Sequence, residues 1–271
     1  MSDTNTAAHP ARLWQRHTLA EKLIRTAFWL GIGIAVALSL QHINVIWEFL
    51  WDAPEQMLDM VQRMYPPDYA YYRLEVHAAL LETFHIATLG TLFALVAALP
   101  LSILAAHNLT PNRALNFLAK TLLVASRSVN SLVWALLFIA IFGPGALAGT
   151  VAIACRSVGF IGKLLGEALE EVPRGSIEAL KAAGATQSSQ ILYGYWPAVK
   201  PAFWSIMLLR WDINVRESSV LGLVGAGGIG MIMQSAIELF EWDRVAVILL
   251  TIFAVVVIAE IVITYFRRRL L

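Results

Sequence analysis

The sequence predicts an all-α membrane protein, a polytopic bundle of about six transmembrane helices. Hydrophobic residues make up 58% of the 271 residues, the mean hydropathy is +0.66, and only 14% of the residues are charged. A water-soluble globule of this length needs more charge on its surface. The net charge of +1 comes with no clustered basic face, so we expect membrane lipid around the chain and no nucleic-acid partner. The single cysteine, Cys155, excludes an internal disulfide and a cysteine-based metal site.

Six apolar segments are long enough to cross about 30 Å of hydrocarbon, which takes about 20 helical residues. They cover residues 27–46, 79–106, 117–142, 146–166, 199–222 and 244–266. The first has the shortest strongly apolar part, and its alternative is a cleaved signal peptide. No small-x-small cleavage site follows it, which favours a span.

Residues 47–78 are acidic and aromatic, and we predict an external helix in the membrane interface that Pro66 and Pro67 end. These patterns divide the chain in two. Residues 1–78 hold a basic N-terminal segment, the first span and the external segment. Residues 79–271 form the core transmembrane domain.

The distribution of Lys and Arg predicts the orientation of the chain. Most of the 20 basic residues fall in residues 1–26, 107–120, 163–200 and 267–269. The segments predicted on the other side hold Arg63, Arg73 and Arg244. By the positive-inside rule, both termini face the cytoplasm, and so does a polar insert, defined here as residues 167–198.

Four arginines fall inside predicted spans: Arg127, Arg156, Arg210 and Arg216. A charged group at the centre of a lipid-facing helix costs about 2.5–3.5 kcal/mol, so these side chains must face protein or water. At 100° per residue, Arg210, Asn214 and Glu217 share one helical face, while Asp212 and Arg216 lie on roughly the opposite face.

The same arithmetic, applied to a continuous third span, puts Arg127, Asn130, Ser131 and Trp134 on one face. Guanidinium forks and hydroxyls are suitable donors to tetrahedral oxyanions. The hypothesis is an anion path lined by Ser126, Arg127, Ser128, Asn130, Ser131, Asn214 and Arg216. The alternative is that Arg216 with Asp212, and Arg210 with Glu217, form ion pairs that only hold the bundle together. The sequence leaves both roles open for Arg156 and Arg210.

The polar insert is helix-prone although it lies between two apolar segments. Glu178 and its neighbours predict one short helix, Gly184 a break before a second, and Pro197 a stop before the next span. We interpret this pattern as a docking site for a partner protein. A plain amphipathic surface helix is the alternative.

A glycine-rich segment, LGLVGAGGIG at residues 221–230, contains a G-x-G-x-x-G pattern. A membrane span precedes it instead of a β-strand, which excludes a dinucleotide site. We predict a re-entrant or gating turn on the outer side at Gly225, Gly227, Gly228 and Gly230. Close helix packing through small residues is the alternative. The sequence has no hydrolase elbow, Walker A loop or zinc spacing, so we predict neither an enzyme nor a cofactor.

The polar insert resembles the EAA coupling loop of bacterial ABC-importer permeases. The residues that keep the spacing of that loop are Glu178, Ala179, Gly184 and Pro197, and those that depart from it are Leu180, Gly194 and Trp196. From about Glu82 onward the chain resembles the permeases of phosphonate-type importers, which include phosphite and hypophosphite carriers. Three blocks carry this resemblance: SRSVNSLVWALLF (126–138), the segment 166–201, and WDINVRESSVLGLVGAGGIG (211–230).

The resemblance implies a fold like that of type I ABC-importer permeases, in a bacterial inner membrane. It implies a second permease subunit, either a copy or a paralogue, with two cytoplasmic ATPase subunits and an external binding protein. It also implies ATPase-coupling residues in the polar insert: Glu178, Ala179, Ala183, Gly184, Ala185 and Pro197. ATP hydrolysis in the partner would then drive alternating access for phosphonate, phosphite or hypophosphite.

Two alternatives remain at this point. One is a permease for methionine or another amino acid, which Arg127 and Arg216 disfavour. The other is a secondary anion transporter or channel, which would use the same arginines but would not need the polar insert.

Overall fold

A computed structural model describes residues 19–43 and 47–270. All regular secondary structure in these residues is helical, which confirms the all-α prediction. Most of the predicted basic N-terminal segment and the end of the first predicted span lie outside the described residues. The chain divides into two compact units, one up to Asp59 and one from Met60. The predicted boundary after residue 78 stays a prediction.

The first unit contains α1 (Leu19–His42) and the beginning of α2 (Trp47–Arg63). α1 is long and apolar enough to cross a membrane. α2 has no buried residues and ends before Pro66, which agrees with the predicted end of the external helix. The position of α2 in the membrane interface stays a prediction.

The second unit continues with α3 (Tyr69–Ala105), α4 (Arg113–Ser128), α5 (Ser131–Phe142), α6 (Ala146–Glu170), α7 (Arg174–Ala182), α8 (Gln187–Gln190), α9 (Trp196–Leu221), α10 (Ile229–Glu238) and α11 (Trp242–Leu270). Among the described residues, the helices long and apolar enough to span are α1, α3, α6, the run from α8 to α10, and α11. α4 and α5 give a sixth span if the bent pair is counted as one. This confirms the prediction of about six spans.

α6 lies at the centre of the second unit, where it packs against α3, α4, α5 and α9. Small residues permit the close approach. A Cβ added to Gly90 of α3 would lie 2.8 Å from Cγ2 of Ile153, and one added to Gly162 would collide with Leu123 of α4. Close packing through small residues is the usual way for helices to associate in lipid.

The prediction of one continuous helix over residues 117–142 is wrong. α4 ends at Ser128, α5 begins at Ser131, and the two helices meet at 90°. The Asn130 side chain caps α5 because its Oδ1 accepts a hydrogen bond from the Leu132 N–H at 3.1 Å. Asparagine side chains satisfy the free N–H groups of a new helix well, which favours a break at this residue.

The polar insert turns at Gly184, as the sequence predicts. Gly184 has φ +77°, the left-handed region that favours glycine. Its N–H donates to the Lys181 carbonyl at 3.0 Å, and the Ala185 N–H donates to the Leu180 carbonyl at 3.0 Å. This pair of bonds is the Schellman arrangement that ends many helices.

The predicted stop at Pro197 is wrong. A π-helical turn, Ile191–Tyr195, joins α8 to α9, and Pro197 is the second residue of α9 in one helical run. A change from π-helical to α-helical bonding accommodates a residue that has no N–H.

The glycine-rich segment does break the helix after α9. α9 ends at Leu221, a short 3₁₀ turn follows, and α10 begins at Ile229. The residues with left-handed backbone in between are Gly225, Gly227 and Gly228. A Cβ added to Gly222 would lie 2.5 Å from the Cα of Gly230, so close packing through small residues is present as well.

Candidate functional site

Two arginines at the centre of the second unit share one carboxylate. Arg156 Nη1 of α6 pairs with Oε1 of Glu217 on α9, and Arg210 Nη2 of α9 lies 3.5 Å from Oε2 of the same residue. The Arg156 side chain is 22% exposed, that of Arg210 5%, and that of Glu217 18%. Within the described part of the chain, neither guanidinium pairs with a second carboxylate. We call these three residues the arginine cluster; it carries one positive charge in excess.

Hydroxyl groups and an aromatic ring complete the surroundings of the arginine cluster. Arg210 Nε donates to Ser157 Oγ at 2.9 Å, and Arg156 Nη1 donates to Ser131 Oγ at 3.3 Å. The Phe160 ring lies under both guanidiniums, with its centroid 4.8 Å from Cζ of Arg210 and 5.7 Å from Cζ of Arg156. Cation–π contacts of this kind partly replace water around a buried cation.

Asn214 ties the arginine cluster to α3. Ser157 Oγ donates to Asn214 Oδ1 at 3.1 Å, and Asn214 Nδ2 donates to Thr91 Oγ1 at 2.8 Å. Asn214 is fully buried, and its amide fixes the position of Ser157, which contacts Arg210. A buried hydrogen-bond network in which each donor has an acceptor holds its side chains rigidly.

Arg216 lies on the opposite side of α9. Its guanidinium pairs with Asp212 on the same helix and with Glu260 of α11, whose Oε2 is 3.0 Å from Nη2. The predicted separation of the charged residues of α9 into two faces is therefore confirmed. The sequence-based alternative of an ion pair also applies to Arg216, whose side chain is nevertheless 46% exposed.

Arg127 lies in a groove of about 250 Å³ between α4 and α6. The other charged residues of this groove are mutually paired: Lys120 with Glu170 at 3.5 Å, and Lys163 with Glu167 at 3.3 Å. Over the described residues, the Arg127 guanidinium makes no ion pair or hydrogen bond. Its side chain is half-buried, and its N–H donors are available to a ligand.

The serines next to Arg127 have structural partners. Ser126 Oγ donates to the Cys155 carbonyl and accepts from the Gly159 N–H at 3.0 Å, which fastens α4 to α6. Ser128 Oγ donates to the Val124 carbonyl of its own helix at 2.6 Å.

Only some of the residues predicted to line the anion path lie close together in the structure. Because the chain bends at Asn130, Arg127 and Ser131 do not share one helical face, and Ser131 instead contacts Arg156. Sequence reasoning did not single out Arg156, Arg210 and Glu217 as one site, because Arg156 is on another helix. The spacing of Arg210 and Glu217 on one face was the available signal.

The polar insert presents an exposed surface above a buried anchor. Ile177 of α7 is buried with Tyr195 and Val199. Gln187 Nε2 donates to the Leu109 carbonyl at 3.2 Å, which holds α8 to the α3–α4 loop. The predicted coupling residues Glu178, Ala179, Ala183, Gly184 and Pro197 are exposed, and Ala185 is half-buried.

The glycine-rich turn is wedged against α3 and the beginning of α6. The Ile229 N–H donates to Thr83 Oγ1 at 2.8 Å, and the Gly145 N–H donates to the Gly225 carbonyl at 2.9 Å. The turn therefore contacts two spans that also support the arginine cluster.

A polytopic helical bundle with a broken span, a charged interior and an exposed polar insert defines a membrane transport subunit. The chain belongs to the binding-protein-dependent transport system inner membrane components, a family whose sequence profile matches residues 98–271. It is therefore an inner-membrane, multi-pass permease of an ABC transporter, and its family is a transporter family without catalytic activity of its own.

Two similar relatives come from Stutzerimonas stutzeri. The phosphite transport system permease protein PtxC is 38% identical over 195 residues, which cover 72% of this chain and 70% of PtxC. The putative phosphite transport system permease protein HtxC is 37% identical over 215 residues, which cover 79% of this chain and 74% of HtxC.

The fold is that of a solved importer permease. A chain of the MetNI methionine ABC transporter, in an inward-facing conformation, matches with a TM-score of 0.64 and 21% identity. The match covers 72% of this chain and 96% of that chain. It confirms the predicted ABC-importer permease fold.

Proposed function

We propose that this chain is the transmembrane permease of an ATP-driven importer for a small phosphorus oxyanion: phosphite, phosphonate or hypophosphite. The observation that carries the proposal is the similarity to two phosphite permeases, because it covers at least 70% of each relative. The positive excess in the arginine cluster supports an anionic substrate, and so does Arg127, which is unpaired within the described residues. Both termini would face the cytoplasm.

The family as a whole implies an ATPase and a binding protein as partners. For this chain we infer two cytoplasmic ATPase subunits, a second permease subunit and an external binding protein. The permease supplies the path, and the ATPase supplies the energy for alternating access.

The polar insert is the part proposed to receive force from the ATPase. Glu178, Ala179, Ala183 and Gly184 leave a surface open on α7 and at the turn. Ile177 beneath them packs against the beginning of α9, and a hydrogen bond joins α8 to the loop that follows α3. A push on the exposed surface would therefore move α9 and α3 together.

The substrate path is proposed to include Arg127 and Arg216, with the glycine-rich turn as a gate on the outer side. Arg127 lies in an open groove, and its guanidinium has no ion pair or hydrogen bond with any residue that the structure describes. Arg216 is partly exposed on the face of α9 that carries Asp212. The turn at Gly225 to Gly228 contacts α3 and α6, so a shift between these spans would move it.

Transport by the assembled complex in proteoliposomes tests the function. We expect ATP-dependent uptake of phosphite, methylphosphonate or hypophosphite, and no uptake of methionine. Methionine uptake would instead identify an amino-acid permease. Anion uptake that depends on an ion gradient and not on ATP would identify a secondary transporter.

A further inference from the structure

The arginine cluster carries a net positive charge inside the membrane-spanning part of the protein, where an uncompensated charge is unfavourable. The two guanidiniums supply two positive charges, whereas Glu217 supplies one negative charge. Asp212 lies on the other face of α9 and pairs with Arg216. An isolated buried charge is unfavourable in the low dielectric of a span, so the two guanidiniums favour a ligand that carries more negative charge than one carboxylate.

The two arginines differ in how firmly they are held. Arg210 is nearly buried, and its Nε is bonded to Ser157, which Asn214 fixes in turn. Arg156 is more exposed, and its buried Nε has no hydrogen-bond partner among the residues that the structure describes. A buried donor without a partner is unfavourable, so a rotation of Arg156 that brings this donor to an incoming acceptor would be favourable. Arg210 is thus the fixed half of the cluster and Arg156 the adjustable half.

The carboxylate of Glu217 shows which ligand fits between them. One of its oxygens meets Arg156 and the other meets Arg210. Two oxygens of a tetrahedral oxyanion form a similar pair of acceptors, and guanidiniums bind carboxylates and phosphate-type oxygens through the same forked contacts. Ser131, at the first position of α5, adds a hydroxyl on the Arg156 side.

The cluster is closed in this conformation. The cavity beside Arg210 has about 30 Å³ and is lined mainly by apolar side chains such as Phe160 and Ile213. It is too small and too apolar for an oxyanion. An oxyanion that contacts both guanidiniums would therefore take the position that Glu217 now occupies.

We propose that Arg156 and Arg210 form the intramembrane binding site for the transported oxyanion, and that Glu217 is an internal counter-anion which the substrate displaces. This inference rests on the proposed function and adds the site to it. The Glu217 carboxylate bridges the two guanidiniums and partly neutralises them. When the oxyanion leaves, the carboxylate returns, so the site does not hold its substrate permanently.

Anion binding to the assembled complex in lipid nanodiscs, without the binding protein, tests the site. Sodium phosphite is titrated while the thermal unfolding of the permease is followed. Glu217→Gln removes the competitor, and we expect about tenfold tighter phosphite binding. We also expect phosphite to restore the stability that this variant loses. If the role of Glu217 is purely structural, Glu217→Gln will lower stability with no gain in phosphite affinity.

Arg156→Gln is expected to weaken phosphite binding at least tenfold, and Arg156→Lys, which keeps the charge but not the fork, to weaken it less. Arg244→Gln is the matched control, because Arg244 also contacts a carboxylate, Glu241, and an aromatic ring, Tyr71, at a distance from the cluster. This control should bind phosphite as the unchanged protein does.

Two results would overturn the inference: unchanged phosphite affinity in Arg156→Gln, or a Glu217→Gln protein that phosphite neither binds more tightly nor stabilises. If the unchanged complex still imports phosphite with ATP, the site is wrong and the function stands. If that complex neither imports nor binds any phosphorus oxyanion, both are wrong.

Discussion

A Cβ added to Gly227 would lie 2.7 Å from the backbone nitrogen of Ala146, the residue that begins α6. The glycine-rich turn therefore touches the beginning of α6 through backbone atoms, which cannot move aside as a side chain can. Gly227 also has φ +89°, so its backbone conformation disfavours any side chain.

Gly227→Ala is expected to destabilise the permease more than Gly225→Ala. Gly225 has φ +92°, but a Cβ there meets only Pro144 Cβ at 3.6 Å and a more distant atom of Ile139. The left-handed backbone costs both variants about 1–2 kcal/mol. Overpacking costs Gly227→Ala about 1–3 kcal/mol more. Thermal unfolding of the two purified variants measures the difference, and equal losses would show that the close approach to α6 is unimportant.

Arg216→Gln is expected to cost about 3 kcal/mol of stability, because it removes the guanidinium that pairs with the buried Asp212 carboxylate. Glu260→Gln should cost about 1 kcal/mol or less, because the Glu260 side chain is 62% exposed in the single chain. Chemical denaturation of the single variants and of Asp212→Asn/Arg216→Gln completes the comparison. If Arg216 and Asp212 act as a pair, the double variant loses less than the two single variants together.

Asn130→Ala is expected to destabilise the bend between α4 and α5 by about 1 kcal/mol, because the first turn of α5 loses its side-chain cap. Asn130→Ser keeps an acceptor at the same position and is the matched control. Proteolytic sensitivity near the bend, together with thermal unfolding, measures the effect. Equal behaviour of the two variants would mean that neighbouring helices hold the bend without the cap.

Span positions could be predicted from the sequence because the length and hydropathy of a span are local properties. The break at Gly184 could also be predicted, since a left-handed residue at a helix end has a local signature. The bend at Asn130 was missed because the apolar pattern continues across it, and hydropathy does not register a side chain that caps a helix. Pro197 was misplaced because a π-helical turn has no clear sequence pattern.

The arginine cluster depends on long-range packing. Helical arithmetic placed Arg210 and Glu217 on one face, and the structure confirms this. Pairing with Arg156 follows only from the contact between α6 and α9, which the hydrogen bond from Ser157 to Asn214 crosses. No property of residues 150–160 alone indicates which helix they will face.

Gly184→Trp tests the proposed docking of the polar insert. Apart from its two chain neighbours, no described residue has an atom within 4 Å of a Cβ built on Gly184, so a large side chain has room in the single chain. The indole would instead project from the exposed turn into any partner seated there. We therefore expect a folded permease that no longer co-purifies with its ATPase.

Backbone strain at Gly184 must be separated from this steric effect. Gly184→Asn is the matched control, because asparagine tolerates the left-handed region better than other residues and is much smaller than tryptophan. It should keep most of the ATPase binding and ATP-dependent uptake, while both are lost in Gly184→Trp. A Gly184→Trp complex that assembles and transports normally would exclude the turn as part of the ATPase contact. Loss of binding in both variants, with normal thermal unfolding, would mean that the contact requires the glycine backbone itself.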